Sequence, residues 1–387
     1  MGELTSIFCL NSGSSSLKFA VFDRETPLIR GAVEGIGLTT GKVWLREQKK
    51  AVVEKKVAVA CQVEALDCLF RVLAAVKPAV LPQVIGHRLV YGGAARSAHC
   101  LIGDSLLDQI RANIAWAPLH LPQELAVIKA MISRFPDKRQ IACFDSAFYA
   151  QLPRLARQLP IPALESAPIE RRGFHGLVFE SILAQLKDVT GKWIFAHLGS
   201  GVSVIAVKEK VPIDMTMGFS PTSGVMMGTR SGDLDPGILL YLIREKGYNI
   251  EQLERFFSAE SGLLGVSGLS SDMKILLQAG KEKPQAKVAV DLFCYHIVKA
   301  IGALVPVLGG LDGIVFTGGI GTHSPEIRAA ICAPLRMFNV WLDAAKNRSN
   351  DALISAAASP VQVRVMTADE EWMMARHICR MRVGNDS

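Results

Sequence analysis

FCLNSGSSS, Phe8 to Ser16, is an apolar run that breaks into a Gly/Ser turn, and Leu17 to Asp23 (LKFAVFD) then returns to a β-rich, partly alternating pattern. A strand, a small-residue turn and a second strand read as a β-hairpin. The same order recurs in the second half of the chain, where Phe195 to Ser203 (FAHLGSGVS) runs into Val204 to Lys208 (VIAVK). The repetition predicts an internal duplication. A third turn lies in Ile314 to Thr322 (IVFTGGIGT), after strand Gly313 to Thr317; here Ser324 and Pro325 offer an N-cap and N1 for a helix running through Glu326 to Cys332. Glycine lets backbone N–H groups approach an anion closely and take positive φ, so three such turns suggest a phosphate cradle, although each alone is also the sequence of an ordinary turn.

Working outward, strands are expected near 6–23 and 28–59, a helix near 62–76, strand Val84 to Val90, helices near 104–115 and 122–135, and strand Gln140 to Phe144. A Pro-rich passage, Leu152 to Pro168, is the expected domain crossing. Beyond it come strands from Trp193 to about Asp214, helix Pro236 to Lys246 capped by Asp235 and closed by Gly247, a long apolar helix around Ala286 to Leu304, strand Val361 to Val365, and helix Glu370 to Met381 with Asp369 as its cap. The final helix is placed to return to the first domain. This alternation predicts an α/β fold of two similar domains facing each other across a nucleotide cleft, with hinge closure.

The 387 residues, 50% hydrophobic and 20% charged, exceed one ordinary core and favour two domains. The longest uncharged apolar stretch, Ala300 to Leu311, falls short of the roughly 20 residues a membrane helix needs, and no secretory signal is expected at the N-terminus. Gly2 and Ser6 fit the loose myristoylation pattern only by chance. Eight cysteines lie scattered without C-x-x-C spacing and read as reduced and structural, as in a cytoplasmic protein. A net charge of +7 suits anionic ligands, yet the densest basic run, Lys49, Lys50, Lys55 and Lys56, is broken by acids and lacks aromatics, which argues against nucleic acid.

Outside the glycine turns, polar residues interrupt apolar or Pro/Gly contexts in a few places: Arg88 in VIGHR, His120 in APLHLP, Asp145 at the end of IACFD, His175 in RRGFHG and Arg230 in MMGTRSGDLDP. Strand ends and loops are where α/β folds display function, although each residue alone reads equally as a satisfied structural group. As a set, they carry a resemblance. From NSGSSSLKF through HRLVYGG, APLH, FDSAF, RRGFHG, HLGSG, MGFSPTSGVMMGTRSGDLDP, GVSGLSSDM and FTGGIGTHSP to DEEWMMAR, the chain resembles the acetate kinase family of the sugar kinase, heat-shock ATPase and actin superfamily.

The resemblance implies two duplicated ribonuclease H-like, actin-like ATPase domains flanking a nucleotide cleft, residues 1–149 plus 370–387 and residues 150–369. It implies Mg²⁺-dependent (or Mn²⁺-dependent), reversible transfer of the ATP γ-phosphoryl group to acetate or another short carboxylate, giving ADP and an acyl phosphate, in a cytoplasmic homodimer with neither nucleic-acid nor membrane partners. The implied catalytic residues are Arg88, Asp145, His175 and Arg230. Arg88 and Arg230 clamp the carboxylate and the phosphoryl oxygens, His175 donates to the phosphoryl in the transition state, and Asp145 orients Mg²⁺, directly or through water. Glu370 shares that task and forms the metal site with Asn11. Arg88 also counts among the acceptor residues, with Val90, Leu119, Phe174 and Pro221 for the alkyl group and His120 as a supporting contact. The nucleotide falls to Asn11, Lys18, His197, Gly199, Ser200, Gly201, Asp272, Met273, Lys274, Gly318, Gly319 and Gly321.

The chain departs from the family pattern near these positions. Ser200 stands where Asn is usual, Tyr91 where His is, Leu177 to Phe179 where a Thr-Ser-His run is, Ser223 where Glu is and Lys274 where Arg is. Two alternatives follow: a related carboxylate kinase with another acceptor or donor, including propionate, or a nucleotide-binding homologue with weakened catalysis.

Overall fold

The computed structural model describes residues 6–13, 15–47, 50–78, 80–93, 98–118, 120–162, 169–186 and 190–383. Gly2 and Leu119 lie outside them. The chain forms two compact units: Met1–Ala150 with His175–Ser181 and Asp369–Ser387, and Gln151–Phe174 with Ile182–Ala368.

The first unit is built on one sheet of eight strands: β1 (Ser6–Ser12), β2 (Ser16–Asp23), β3 (Thr26–Glu34), β4 (Gly41–Glu47), β5 (Lys50–Val57), β6 (Val84–Leu89), β7 (Cys100–Leu101) and β8 (Arg139–Phe144), in the order β5-β4-β3-β2-β1-β6-β8-β7. The second unit holds a five-stranded sheet of β9 (Lys192–Leu198), β10 (Val202–Lys208), β11 (Val211–Met215), β12 (Gly313–Thr317) and β13 (Gln362–Val365), in the order β11-β10-β9-β12-β13. In both, the first three strands form an antiparallel meander and the first strand then pairs in parallel with a strand reached by a long crossover, which pairs in parallel with the next. This shared topology is the duplication expected from the two Gly/Ser hairpins, which are present as antiparallel pairs with Asn11 opposite Lys18 and Leu198 opposite Val202.

Local chemistry explains the differences. The run 28–59, where strands are expected, holds β4, β5 and most of β3, and the outermost, β5, exposes Lys50, Glu54, Lys55 and Lys56. Charged residues on an edge strand discourage pairing with other chains. The inner strand β1 is buried along its whole length, as a strand covered on both faces must be. Against one side pack Leu66, Leu69 and Leu73 of helix Gln62–Val76, and Phe8 meets Phe19 edge-on with centroids 5.3 Å apart. Helix Glu370–Val383 packs on β1, β2, β6 and β8. Gly86 lets it approach, since a Cβ there would lie 2.6 Å from Ile378 Cδ1.

In the second unit helix Pro284–Leu308 is 25 residues long with a mean hydropathy of 1.8 in its most apolar stretch, enough by length and composition to cross a membrane. Residues 300–308, the greater part of the uncharged stretch Ala300 to Leu311, thus close a longer apolar helix. Its buried residues Ala286, Ala289, Val290, Phe293, Cys294, Ile297, Ile301, Leu304, Val305 and Leu308 recur at helical spacing and pack against β9, β10 and β11, which makes it this unit's core helix. The third glycine turn also differs from expectation: β12 leads directly into a short helix, Gly318–His323, and Ser324 both ends it and precedes helix Pro325–Cys332 without a side-chain cap.

Candidate active site

In the first unit the strand ends bring Asn11, Lys18, Arg88, Asp145 and Glu370 together. Arg88, at the end of β6, donates from Nε and Nη2 to Asp145 Oδ2 at 3.2 and 2.6 Å and from Nη1 to Asn11 Oδ1 at 3.0 Å. Its Nε also lies 3.3 Å from Glu370 Oε1. Asn11 Nδ2 donates to Glu370 Oε2 at 3.3 Å and to Glu371 Oε1 at 3.0 Å. Burial works against the charged form of Arg88, but the carboxylates of Asp145 and Glu370 outweigh it and hold the guanidinium charged. Glu370 likewise raises the Lys18 ammonium above the usual lysine value, against burial.

Asp145 is fully buried just after β8; burial pushes its carboxyl up and Arg88 opposes the shift. Its second oxygen accepts from the Leu177 N–H at 3.3 Å. The loop that supplies Leu177 is tightly fitted: His175 holds a left-handed φ of 60°, and a Cβ on Gly176 would overlap the Asp145 carbonyl oxygen. A non-glycine residue in that region is a strained conformation of the kind that collects at functional sites. Asp145 is committed to Arg88 and Leu177, so the carboxylates of Glu370 and Glu371 with the Asn11 amide oxygen form the hard-oxygen donor set, which fits Mg²⁺ or Mn²⁺.

Sequence reasoning missed two acids here. Glu371 accepts from Asn11, and burial together with Glu370 raises its carboxyl while Lys18 opposes. Glu124 is buried on helix Leu121–Arg134 and accepts from the Val90 N–H at 3.3 Å, with burial pushing its carboxyl up to about 8 against the pull of Arg88. A signal was present: Glu124 interrupts the buried stripe Leu121, Leu125, Ile128 and Met131. Because the folded state holds this proton and the unfolded chain releases it near 4.5, the contribution is present below about pH 4.5 and is lost as pH rises through about 8. Glu124→Gln is therefore expected to match the parent in urea unfolding near pH 5 and to exceed it above pH 8.

In the second unit a pocket of about 820 Å³ is lined by Gly199, Ser200, Asp272, Met273, Lys274 and Gly319 among the residues expected to meet the nucleotide. Gln278, Lys281, His323 and Glu326 also line it and were not anticipated. Gly201, Gly318 and Gly321 do not line it: Gly201 is half-buried and its O accepts from Gly199 N, Gly321 is buried, and the half-buried Gly318, at φ 80°, sits where a Cβ would strike the Leu198 backbone. His197 sits in β9 opposite Thr317. Asp272 is an N-cap, its Oδ1 accepting from Lys274 N at 2.7 Å. Arg230 Nη1 donates to Pro221 O at 3.1 Å, and burial lowers its pKa.

Val90 belongs to the first unit, and Phe174 and Pro221 to the second; all three are buried. His120 stands just before helix Leu121–Arg134. Three of the family departures are absorbed locally, whereas Ser200 and Lys274 line the pocket. Leu177, Val178 and Phe179 are core residues, Tyr91 stacks on Trp116 with centroids 5.5 Å apart, and Ser223 Oγ accepts from Gly218 N at 2.7 Å and donates to Ser220 O.

A duplicated α/β fold with an Arg–carboxylate cluster at strand ends and a separate pocket bordered by glycine turns has the features of a phosphotransferase. A model of the acetokinase family matches residues 6–376. The acetate kinase of Rhodopseudomonas palustris (strain TIE-1) is 37% identical over 394 residues, covering 98% of each chain. Among solved structures, a propionate kinase from Francisella tularensis superposes with a TM-score of 0.88 at 32% identity, over 96% of this chain and 98% of that one. The acetate kinase of Porphyromonas gingivalis superposes at 0.83 with 31% identity over the same shares. The chain belongs to the acetokinase family and is a kinase of that family.

Proposed function

We propose that this chain catalyses reversible, Mg²⁺-dependent transfer of the ATP γ-phosphoryl group to acetate, giving acetyl phosphate and ADP by direct in-line displacement. The observation that carries this reading is the buried Arg88 cluster with Asn11, Asp145 and Glu370, in a member of a family whose relatives are acetate and propionate kinases. A carboxylate acceptor has a pKa of about 4–5 and is ionised at pH 7, so the reaction needs no general base. An acetate oxygen forms the new bond to phosphorus, and the bond to the bridging oxygen breaks with its electrons leaving on ADP. The protein's task is to hold two anions in line and to neutralise charge on the group in flight.

Arg88 suits the first task, because its planar fork is already oriented by Asp145 and Asn11. Arg230 and His175 are assigned to the phosphoryl oxygens. Asp145 acts on this reading through Arg88, since both of its oxygens are engaged within the fold. Glu370 and Asn11 would hold Mg²⁺, which would supply charge neutralisation there. The six expected residues lining the second-unit pocket support placing the nucleotide there.

Hydroxylamine trapping tests the proposal. Acyl hydroxamate is expected with acetate, MgATP and purified protein, and its absence with both acetate and propionate would overturn the proposal, leaving a kinase for another acceptor or donor or a nucleotide-binding homologue with weakened catalysis. Propionate is kept as a second acceptor because of the Francisella neighbour; one methylene in an apolar pocket is worth about 1–3 kcal/mol, so the ratio of kcat/KM values decides.

The homodimer also has support in this chain. Helix Pro236–Lys246 carries Ile238, Leu239, Leu240, Tyr241 and Ile243, all exposed, and only Leu242 is buried. A helix apolar all round is normally covered, and a second copy is the assigned cover. Sedimentation equilibrium is expected to give a dimer that Leu240→Asp together with Ile243→Asp dissociates. All eight cysteines are free, which supports a reducing, cytoplasmic setting.

A further inference from the structure

We propose that Glu124 is a positioning residue for the acceptor side of the site, tying the strand end that carries Arg88 and Val90 to the helix headed by His120. Both of its carboxyl oxygens lie 3.3 Å from the Val90 N–H, and its own backbone N–H donates to His120 O at 3.1 Å. One residue thus joins the two segments to which the acceptor contacts Val90 and His120 belong. This role rests on the acetate reading above, which assigns both residues to the acceptor.

β6 stops at Leu89, so the N–H of Val90 falls just past the strand, in a residue only 4% exposed. A buried N–H without an acceptor is costly, and helix Leu121–Arg134, which packs on β6, supplies one from a side chain. Packing alone would not choose this residue. Leu121, Leu125, Ile128 and Met131 make the same helix apolar toward the core, and a carboxyl 2% exposed among them carries a desolvation cost that an apolar side chain would avoid. Burial keeps that carboxyl largely protonated at pH 7, so it accepts from Val90 without setting a second negative charge beside an anionic acceptor. Arg88 stands two residues before Val90, and its fork is already fixed by Asp145 and Asn11. The Glu124 bond fixes the backbone on its other side. A small shift of this strand end would move the clamp and the alkyl contact together, and misplaced contacts are expensive in orientation. The nucleotide pocket is built on other elements, so the loss falls on the acceptor.

Steady-state hydroxamate assays of the full chain at pH 7, varying acetate and ATP separately, test it. Glu124→Gln keeps a carbonyl oxygen for Val90 and is expected to stay within about twofold of the parent in both KM values. Glu124→Leu removes the acceptor at similar volume; its KM for acetate is expected to rise about tenfold, the size of one lost hydrogen bond, with KM for ATP within about twofold. Glu124→Asp, one methylene shorter, is expected to shift KM for acetate the same way by about threefold or more, and it carries the test if urea unfolding shows that the leucine variant does not fold. Parental KM for acetate in a folded leucine or aspartate variant would overturn the role, since a group serving only the core moves stability alone. So would an equal rise in both KM values, or a glutamine variant as impaired as the leucine one. Absence of hydroxamate from the parent itself, with acetate and with propionate, would overturn the acetate reading and this role with it, which keeps the two failures distinct.

Discussion

Arg88→Ala is expected to lower kcat/KM for hydroxamate formation by about 10²–10³, the usual consequence of losing one charge-stabilising donor. It is also expected to destabilise the fold by about 3–5 kcal/mol, because removing one partner of a buried pair leaves the other uncompensated. Asp145, fully buried, would keep only the Leu177 N–H, and Asn11 Oδ1 would lose its donor. The two losses separate experimentally. Arg88→Lys keeps a positive charge beside Asp145 and Glu370 but cannot reproduce a fork that reaches Asp145 and Asn11 together. Its urea midpoint is expected between those of the parent and the alanine variant, while its kcat/KM stays near that of alanine. If Arg88→Ala remains within a factor of about three of the parent in kcat/KM, the clamp is misassigned.

Arg88, Asp145 and Arg230 were legible as candidates only as a set, since an arginine or aspartate at a strand end or in a loop reads equally, by itself, as a satisfied structural group. The sheets were legible because hydrophobic alternation and two Gly/Ser hairpins report strand pairing directly, and both hairpins are present. The further extent of the eight-stranded sheet was legible only as a region of strand: Gly35 and Gly37 mark the turn between β3 and β4, but the order in which the strands pair is set by contacts distant in sequence. Glu371 and Glu124 were missed for a different reason. A carboxylate on a helix reads as solvated unless its face is known, and only the packing of helices Leu121–Arg134 and Glu370–Val383 turned these two inward. The glycines of IVFTGGIGT show the same limit: their composition marks a backbone constraint, but whether each lines a pocket or lies against Leu198 depends on the helix that begins at Gly318.

Arg328→Met is expected to cost about 3–4 kcal/mol in urea unfolding, since buried acceptors left without donors cost about 1–3 kcal/mol each and do not add in full. Arg328 is completely buried and donates from Nε to Asn347 Oδ1 at 2.8 Å, from Nη1 to Gly321 O at 2.8 Å, and from Nη2 to Asn347 O and Asn350 Oδ1 at 2.7 Å each. None of these four acceptors is a carboxylate, and burial alone is the leading cause that lowers the guanidinium pKa. A cation is kept dry here because one planar group can hold three pieces of backbone at once: the helix Gly318–His323 through Gly321, the helix Ala344–Ser349 through Asn347, and the left-handed Asn350 beyond it. Methionine fills a similar volume, so the loss reports hydrogen bonds more than a cavity. Lysine, with three donors on one atom, is expected to recover less than half of it. Because Gly319 of the same short helix lines the second-unit pocket, KM for ATP is expected to rise by a larger factor than kcat falls. Stability within about 1 kcal/mol of the parent would mean that the desolvation of Arg328 cancels its four hydrogen bonds. A fall in stability with KM for ATP unchanged would confine its role to the fold and release the glycine turn from dependence on it.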